Sequence, residues 1–285
     1  MACSALAVSP AWNKFPSQDS PAALVSLTPA PLMKYSYAEL AGMIDHSLLQ
    51  PSMTDAEAEA GCIIAAEYGV ASVCVKPYFV QRAASLLEDT GVIVGCVIGF
   101  PAGNSTTEVK RYETEVACKD GAKEIDMVIN IGKALAGDWD YVEREIQVIA
   151  DEAHKHGAKL KVIFENDYLP DDATKIKLCE ICGRVGADWV KTSTGYGFSK
   201  QPDGSYNYKG ATEPDLRLMR QHSPAHVQVK AAGGVRDLDG LIMVRDLGCT
   251  RLGASATKAI LDEYRRREAS GDTTEGKATI GAGGY

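Results

Sequence analysis

Leu160-Lys161-Val162-Ile163-Phe164-Glu165 is a short apolar run with a lysine inside it and a glutamate closing it. Runs of the same texture recur at Met43–Leu49, Ser72–Lys76, Ile93–Phe100, Glu124–Ile129, Trp189–Thr192, Val227–Ala231 and Arg251–Ala254. That makes eight strand candidates, separated by roughly 20–40 residues that each contain a helix-like segment. Thr54–Tyr68 shows the type: Thr54 can cap it, acidic residues follow, and Ala, Ile and Tyr recur on one face. Thr106–Lys119 and Asp140–His156 repeat the pattern. Continuous apolar strands alternating with helices predict a parallel sheet covered by helices on its outside, and eight such units can close. The expected fold class is therefore α/β, a single (β/α)8 barrel. An open doubly wound sheet is the alternative, but no G-x-G-x-x-G follows the first strand.

The barrel is expected over 36–264. Residues 1–35, rich in Ala, Pro and Ser and without a period, predict a disordered extension. Residues 265–285 predict a tail, charged at first, then Gly-rich and closing on Tyr285. Arg265-Arg266-Arg267 reads as a solvated basic face near a helix C-terminus. Tyr196–Ala211 is longer than a typical βα loop.

A net charge of −8 argues against nucleic acid as a partner. No run of eighteen apolar residues predicts a membrane span, and no secretory signal opens the chain. Eight dispersed cysteines then read as reduced thiols in a cytoplasmic setting. Cys179-Glu180-Ile181-Cys182 has the spacing of redox and metal sites, but it lacks partner ligands and lies in an amphipathic pattern, so helix packing is the expectation. His46, His154, His156, His222 and His226 form no inner-face cluster, so no metal is expected.

The chemistry is expected at the C-terminal ends of the strands. Asp45 closes the first strand, Asp126 lies in the fourth, Lys161 and Glu165 in the fifth, Lys191 in the sixth and Lys230 in the seventh. A lysine in an apolar strand loses hydration when charged, so three on consecutive strands call for a reason. One reason is amine chemistry: burial and a neighbouring ammonium both lower a lysine's pKa toward neutrality, which a nucleophile requires. The other is a structural network in which these lysines simply pair with Asp45, Asp126 or Glu165. A phosphate cradle is also legible. Gly233-Gly234-Val235-Arg236 follows the seventh strand and Gly253-Ala254-Ser255 the eighth, where barrels frequently bind phosphate, and Thr192-Ser193-Thr194-Gly195 could close it. Each glycine pair alone is equally well a tight βα turn.

Five segments, in order, carry a family resemblance: Ile44-Asp45-His46-Ser47-Leu48-Leu49, Glu124–Asn130, Lys161–Glu165, Val190–Gly195 and Lys230–Arg236. Over about Tyr37 to Ala259 the chain resembles the deoxyribose-phosphate aldolases. The resemblance implies a class I aldolase without metal or cofactor that cleaves 2-deoxy-D-ribose 5-phosphate reversibly to acetaldehyde and D-glyceraldehyde 3-phosphate. It implies Lys191 as the imine-forming lysine, Lys230 as the second lysine that depresses its pKa and takes part in proton transfer, Asp126 as a proton relay and Tyr285 as an aid to enamine protonation. Gly195, Gly233, Gly234, Arg236, Gly253 and Ser255 would hold phosphate. Asp45 and Lys161 read as orienting or structural groups, and Cys74 as a buried thiol near the pocket. A homodimer is in keeping with barrel aldolases. The chain departs from the family at Ala256, where many members carry a second serine, and in the long 196–211 loop. A related Schiff-base aldolase with another phosphosugar, or a catalytically silent barrel, are the competing readings.

Overall fold

The computed structural model describes residues 1, 33–169, 171–274, 276, 278, 280 and 281. The chain divides into Met1–Ala30 and Pro31–Tyr285, and the second unit carries the barrel. Eight parallel strands close it: β1 (Ile44–Leu48), β2 (Ser72–Val75), β3 (Ile93–Ile98), β4 (Glu124–Val128), β5 (Lys159–Ile163), β6 (Trp189–Lys191), β7 (Gln228–Ala232) and β8 (Arg251–Ala254). Each pairs with the next, and β8 returns to β1 through Ile44↔Leu252 and Asp45↔Gly253. A helix follows every strand, from Asp55–Tyr68 after β1 to Thr257–Ser270 after β8.

Local signals explain the joins. Thr54 and Glu57 form a reciprocal capping box at the start of Asp55–Tyr68, and Gly69 ends that helix in the left-handed conformation at φ 62°. The period of two along a strand then sorts side chains. Ile44, Val73, Ile125, Leu160, Val162, Val190, Val229 and Leu252 are fully buried and belong to the one large apolar cluster of the barrel. The alternate set, including Asp45, Asp126, Lys161, Lys191, Lys230 and Arg251, meets across the barrel instead.

Several expectations shift. Residues 2–32 of the extension lie outside the described residues, but Met33 and Tyr35 pack on the core and Lys34 pairs with Asp246 at 2.6 Å, so the ordered unit begins before residue 36. The last helix runs to Ser270, past the boundary at 264, and ion pairs of Arg266 and Arg267 with Glu263 brace that final stretch. Arg267 is not a solvated charge: it is buried, with a two-pronged contact to Asp239 at 2.7 and 2.6 Å. The long loop contains a small hairpin, Ser199–Lys200 against Tyr206–Asn207. Cys179 and Cys182 are buried in helix Asp172–Val185, as their pattern predicts.

One buried ion pair braces the end of β4. Lys110, on helix Thr107–Lys119, donates to the Val128 carbonyl at 2.8 Å and to Glu145 at 2.9 Å, and Glu145 also accepts the Asn130 N–H at 3.0 Å. Neither side chain of the pair is exposed. Removing one partner of such a pair strands the other, at a cost of about 3–5 kcal/mol. Lys110→Met should lower stability to urea by that amount at pH 8. The loss should shrink at pH 5, because burial already raises the Glu145 carboxyl and an unpaired Glu145 would take up a proton.

Candidate active site inside the barrel

Parity turns a set of polar and aromatic side chains into the barrel. Lowest are Glu124, Trp189 and Arg251. Arg251 donates to Glu124 at 2.8 Å and to Asp45 at 2.7 Å, and its guanidinium lies 5.3 Å from the Trp189 ring. Above them Lys161 touches three carboxylates: Glu124, Asp126 at 2.9 Å and Asp45 at 3.2 Å. Ser72 adds a hydrogen bond to Asp45 at 2.7 Å. Lys191, the last residue of β6, and Lys230, the third of β7, are register partners. Both donate to the same oxygen, Asp126 Oδ2, at 2.7 and 2.8 Å, and Lys230 reaches Asp45 Oδ2 at 2.5 Å.

Asp45, Asp126 and Lys161 therefore do not stand at the strand ends, where the sequence reading set them. Asp45 is the second residue of β1, and Asp126 and Lys161 are the third residues of β4 and β5. Lys230 is likewise the third residue of β7, and all four are buried in the dry interior beside Lys191. The sequence reading missed Glu124 and Arg251. Their signal was the period of two: each precedes a flagged residue, Asp126 or Gly253, by two positions.

Electrostatics separates the lysines. The cluster holds four potential cations, Lys161, Lys191, Lys230 and Arg251, against three carboxylates, Asp45, Glu124 and Asp126. One proton is in excess in a medium that penalises net charge. Burial alone would depress every lysine. In Lys161 the carboxylates outweigh it and hold the pKa well above the usual range, and in Lys230 Asp126 and Asp45 do the same. Lys191 has only the shared Asp126 oxygen, and it ends below the ordinary value because burial dominates and Lys230 adds to it. Asp45 and Asp126 stay ionised, since the surrounding cations overcome the burial that would protonate them. Among these groups Lys191 most readily becomes a free amine.

Around this centre the loops contribute unequally. Cys74, beside the lysines on β2, is buried, and its thiol is pushed up to about 11 by burial, so it stays neutral. Gly195 is buried at φ 94° after β6, and Gly233 and Gly234 follow β7 at φ 88° and 83°. Arg236 is exposed beyond them. Gly253 is a strand residue rather than part of a loop, and a Cβ there would lie in ordinary contact with the Lys230 Cε, at 3.4 Å. Ser255 is exposed, and Ala256, the N-cap of helix Thr257–Ser270, makes no side-chain capping bond. The first N–H groups of that helix are thus left to an anion or to water. Tyr285 lies outside the described residues.

Glu165 is the group whose behaviour sequence reasoning did not foresee. It leaves β5 in the left-handed conformation at φ 58°. Its carboxylate accepts the Thr194 N–H at 3.2 Å and the Thr194 hydroxyl, which fastens the loop after Lys191. Burial pushes its carboxyl up to about 7.

Among the described residues no group of three or more His, Cys, Asp or Glu side chains is arranged to hold a metal ion. His46 bonds Thr257 at 2.8 Å, and burial lowers it to about 4. None of the described helices is long and apolar enough to cross a membrane.

The arrangement is that of an amine made nucleophilic in a dry barrel. Residues 40–260 match the sequence model of the DeoC/LacD family aldolases. The chain belongs to that family. Among curated members of the DeoC/LacD family it is 52% identical over 233 residues to the deoxyribose-phosphate aldolase of Rhodopirellula baltica, covering 82% of this chain and 92% of the relative. It is 44% identical over 232 residues to the deoxyribose-phosphate aldolase of a Thermoanaerobacter strain, covering 81% of this chain and 99% of the relative. The solved deoxyribose phosphate aldolase of Aeropyrum pernix, described as a tetramer, superposes with a TM-score of 0.71 at 31% identity, covering 81% of this chain and 92% of that one. Membership in the DeoC/LacD family places the chain among the aldolases and sets the silent barrel aside.

Glu165 makes a pH-dependent contribution to stability. Its folded pKa of about 7 stands above the ordinary 4.5, so its protonated form is the favoured one in the fold. Stability from this group is complete below pH 4.5 and is lost as pH rises through 7, by an upper limit of about 3 kcal/mol. Glu165→Gln should therefore raise the melting temperature at pH 8 and leave it nearly unchanged at pH 4.5. Equal shifts at both pH values would contradict the assignment.

Proposed function

We propose that the chain cleaves 2-deoxy-D-ribose 5-phosphate reversibly to D-glyceraldehyde 3-phosphate and acetaldehyde, with Lys191 as the amine that forms the imine. The aldolase class rests on the family, and the substrate on relatives named for it across nearly their whole length. The choice of Lys191 is carried by one observation: four cationic side chains face three carboxylates, and Lys191 has the weakest hold on a proton.

In this scheme Lys191 Nζ attacks C1 of the open-chain sugar, and loss of water leaves a protonated imine. When a base takes the proton of the C3 hydroxyl, the C2–C3 bond breaks, its electron pair moves into C1–C2, and the C1=N pair settles on nitrogen. Glyceraldehyde 3-phosphate departs and an enamine stays on Lys191. Protonation at C2 and addition of water release acetaldehyde and restore the amine. Lys230 holds its proton throughout, and Asp126 Oδ2, which touches both amines, passes protons between Lys191 and the departing or entering water.

The phosphate is assigned to Gly195, Gly233, Gly234, Arg236 and Ser255 with the uncapped N-terminus of helix Thr257–Ser270. Tyr285 is assigned to proton delivery at C2. Its support is Gly281, four residues earlier, which packs against Gly234: a Cβ on Gly234 would meet the Gly281 Cα at 2.7 Å. The domain bounds follow the same reading, a barrel over 36–264 carried on into its last helix and a tail that serves the site. A homodimer has its best support in Val109, Tyr112 and Val116, an exposed apolar stripe on helix Thr107–Lys119. A cytoplasmic setting fits described cysteines that are all thiols.

Borohydride trapping with acetaldehyde, followed by peptide mass spectrometry, tests the reading: a two-carbon adduct on Lys191 is expected, and an adduct on another lysine alone would refute it. Lys191→Ala should lose turnover by at least about three orders of magnitude while keeping its melting temperature, because the cluster is then balanced at three cations to three carboxylates. Lys230→Met removes a cation that Lys191 must replace. Lys191 then keeps its proton to higher pH, and the acidic limb of the kcat/KM profile should move upward by about one unit or more. An unmoved limb would show that the two amines are uncoupled.

A further inference from the structure

The long loop after β6 returns to the barrel at a junction that the chemistry above does not use. The turn Asn166–Tyr168, which follows β5, grips both arms of the loop. Tyr168 donates its hydroxyl to the Phe198 carbonyl at 3.1 Å, on the outgoing arm. Asp167 accepts two adjacent backbone N–H groups on the returning arm, Lys209 at 2.8 Å and Gly210 at 2.9 Å. Immediately beyond, the Ala211 N–H donates to the Gly233 carbonyl at 3.1 Å.

Three backbones come close there, with the Tyr208 hydroxyl beside Gly233. A Cβ on Gly210 would come within 2.8 Å of the Gly233 oxygen. A Cβ on Gly234 would lie 2.7–2.9 Å from the Gly281 backbone, and one on Gly281 would lie 3.2 Å from the Lys209 oxygen and 3.5 Å from that of Ala211. Gly210, Gly234 and Gly281 all take positive φ, at 70°, 83° and 79°. Gly281 thus sits against both the Gly233-Gly234 turn and the segment that Asp167 fixes, and its neighbour Ile280 packs on the core. Whatever follows Gly281 starts from a point set by the 209–211 backbone.

We propose that Asp167 is a positioning residue for the C-terminal tail: by holding the N–H groups of Lys209 and Gly210 it builds the platform on which Gly281 docks beside Gly234. The inference rests on the reading that Tyr285 delivers the proton to the enamine. The long loop then has a reaction role without touching substrate. Its returning arm is a seat for the tail, and the seat is as firm as two hydrogen bonds to one carboxylate make it.

The test uses the full chain, with Asp167→Asn and Asp167→Ser, each alone and combined with Tyr285→Phe. Three rates are read: borohydride trapping of acetaldehyde on Lys191, deuterium uptake from D2O into the acetaldehyde methyl group, and hydrogen exchange of the peptide covering residues 278–285. Trapping should stay within about two-fold of the parent, because imine formation does not need the tail. Methyl deuteration should fall by about ten-fold or more, as expected when a proton donor is misplaced. The double variant should be no slower than Tyr285→Phe alone, since both changes remove the same delivery. Exchange over 278–285 should quicken in both Asp167 variants whatever Tyr285 does. If Tyr285→Phe leaves deuteration unchanged while tail exchange still quickens, the docking role stands and the reading of Tyr285 falls. Unchanged tail exchange, a parallel fall in trapping, or multiplying effects in the double variant would each overturn the proposal.

Discussion

Everything in the barrel turns on the difficulty of keeping charge away from water. The interior of a small eight-stranded barrel is filled by side chains and has no room for a hydration shell. Here it is filled by ions. Asp126 is bound by three lysines, and Asp45 by two lysines, an arginine and a serine. Such a cluster survives only if nearly every charge is matched, and the mismatch of a single proton then has large consequences at the site least tied down. Lys191 is that site, because Lys161 and Lys230 hold the carboxylates from below and from the side. The same matching explains why polar residues that look like candidate catalysts in the sequence divide into one loosely held amine and the ions that support it.

The fold was legible because period and punctuation are local. Eight apolar runs, an acid-rich first helical turn after Thr54 and a Gly at position 69 need only neighbours in sequence to be read. Lys161, Lys191 and Lys230 were visible for a related reason: a lysine inside an apolar run is anomalous wherever it occurs. Glu124 and Arg251 were not, because each opens a strand, where a charged residue ordinarily meets solvent. Only closure brings them together, across 127 positions of sequence. Glu165 read as a strand residue, but it takes the left-handed conformation and turns its carboxylate to Thr194, and a glutamate seldom adopts that conformation. Arg267 read as solvated because Asp239, its partner, belongs to another helix.

The upper rim follows a different rule from the floor. Below, side chains do the holding; above, backbones do. Gly195, Gly233 and Gly234 bring N–H groups where side chains would intrude, and the helix after β8 begins without a cap. That division suits a ligand with one reactive carbon and one doubly charged end. On the proposed function the carbon meets a fixed amine in the dry part of the barrel, and the anionic end meets dipoles that cost little to expose.

The four-to-three imbalance also bears on what happens after the amine has reacted. On the proposed chemistry Lys191 becomes a protonated imine, which carries the charge that the free amine lacked. The cluster then carries a positive charge with no fourth carboxylate to answer it. Electron flow from the breaking carbon–carbon bond onto nitrogen discharges that excess and returns the interior to neutrality. The same seven groups that let a lysine start as a free base would therefore make its cationic adduct restless, and the barrel floor would act on the second half of the reaction as a sink already tilted toward the enamine.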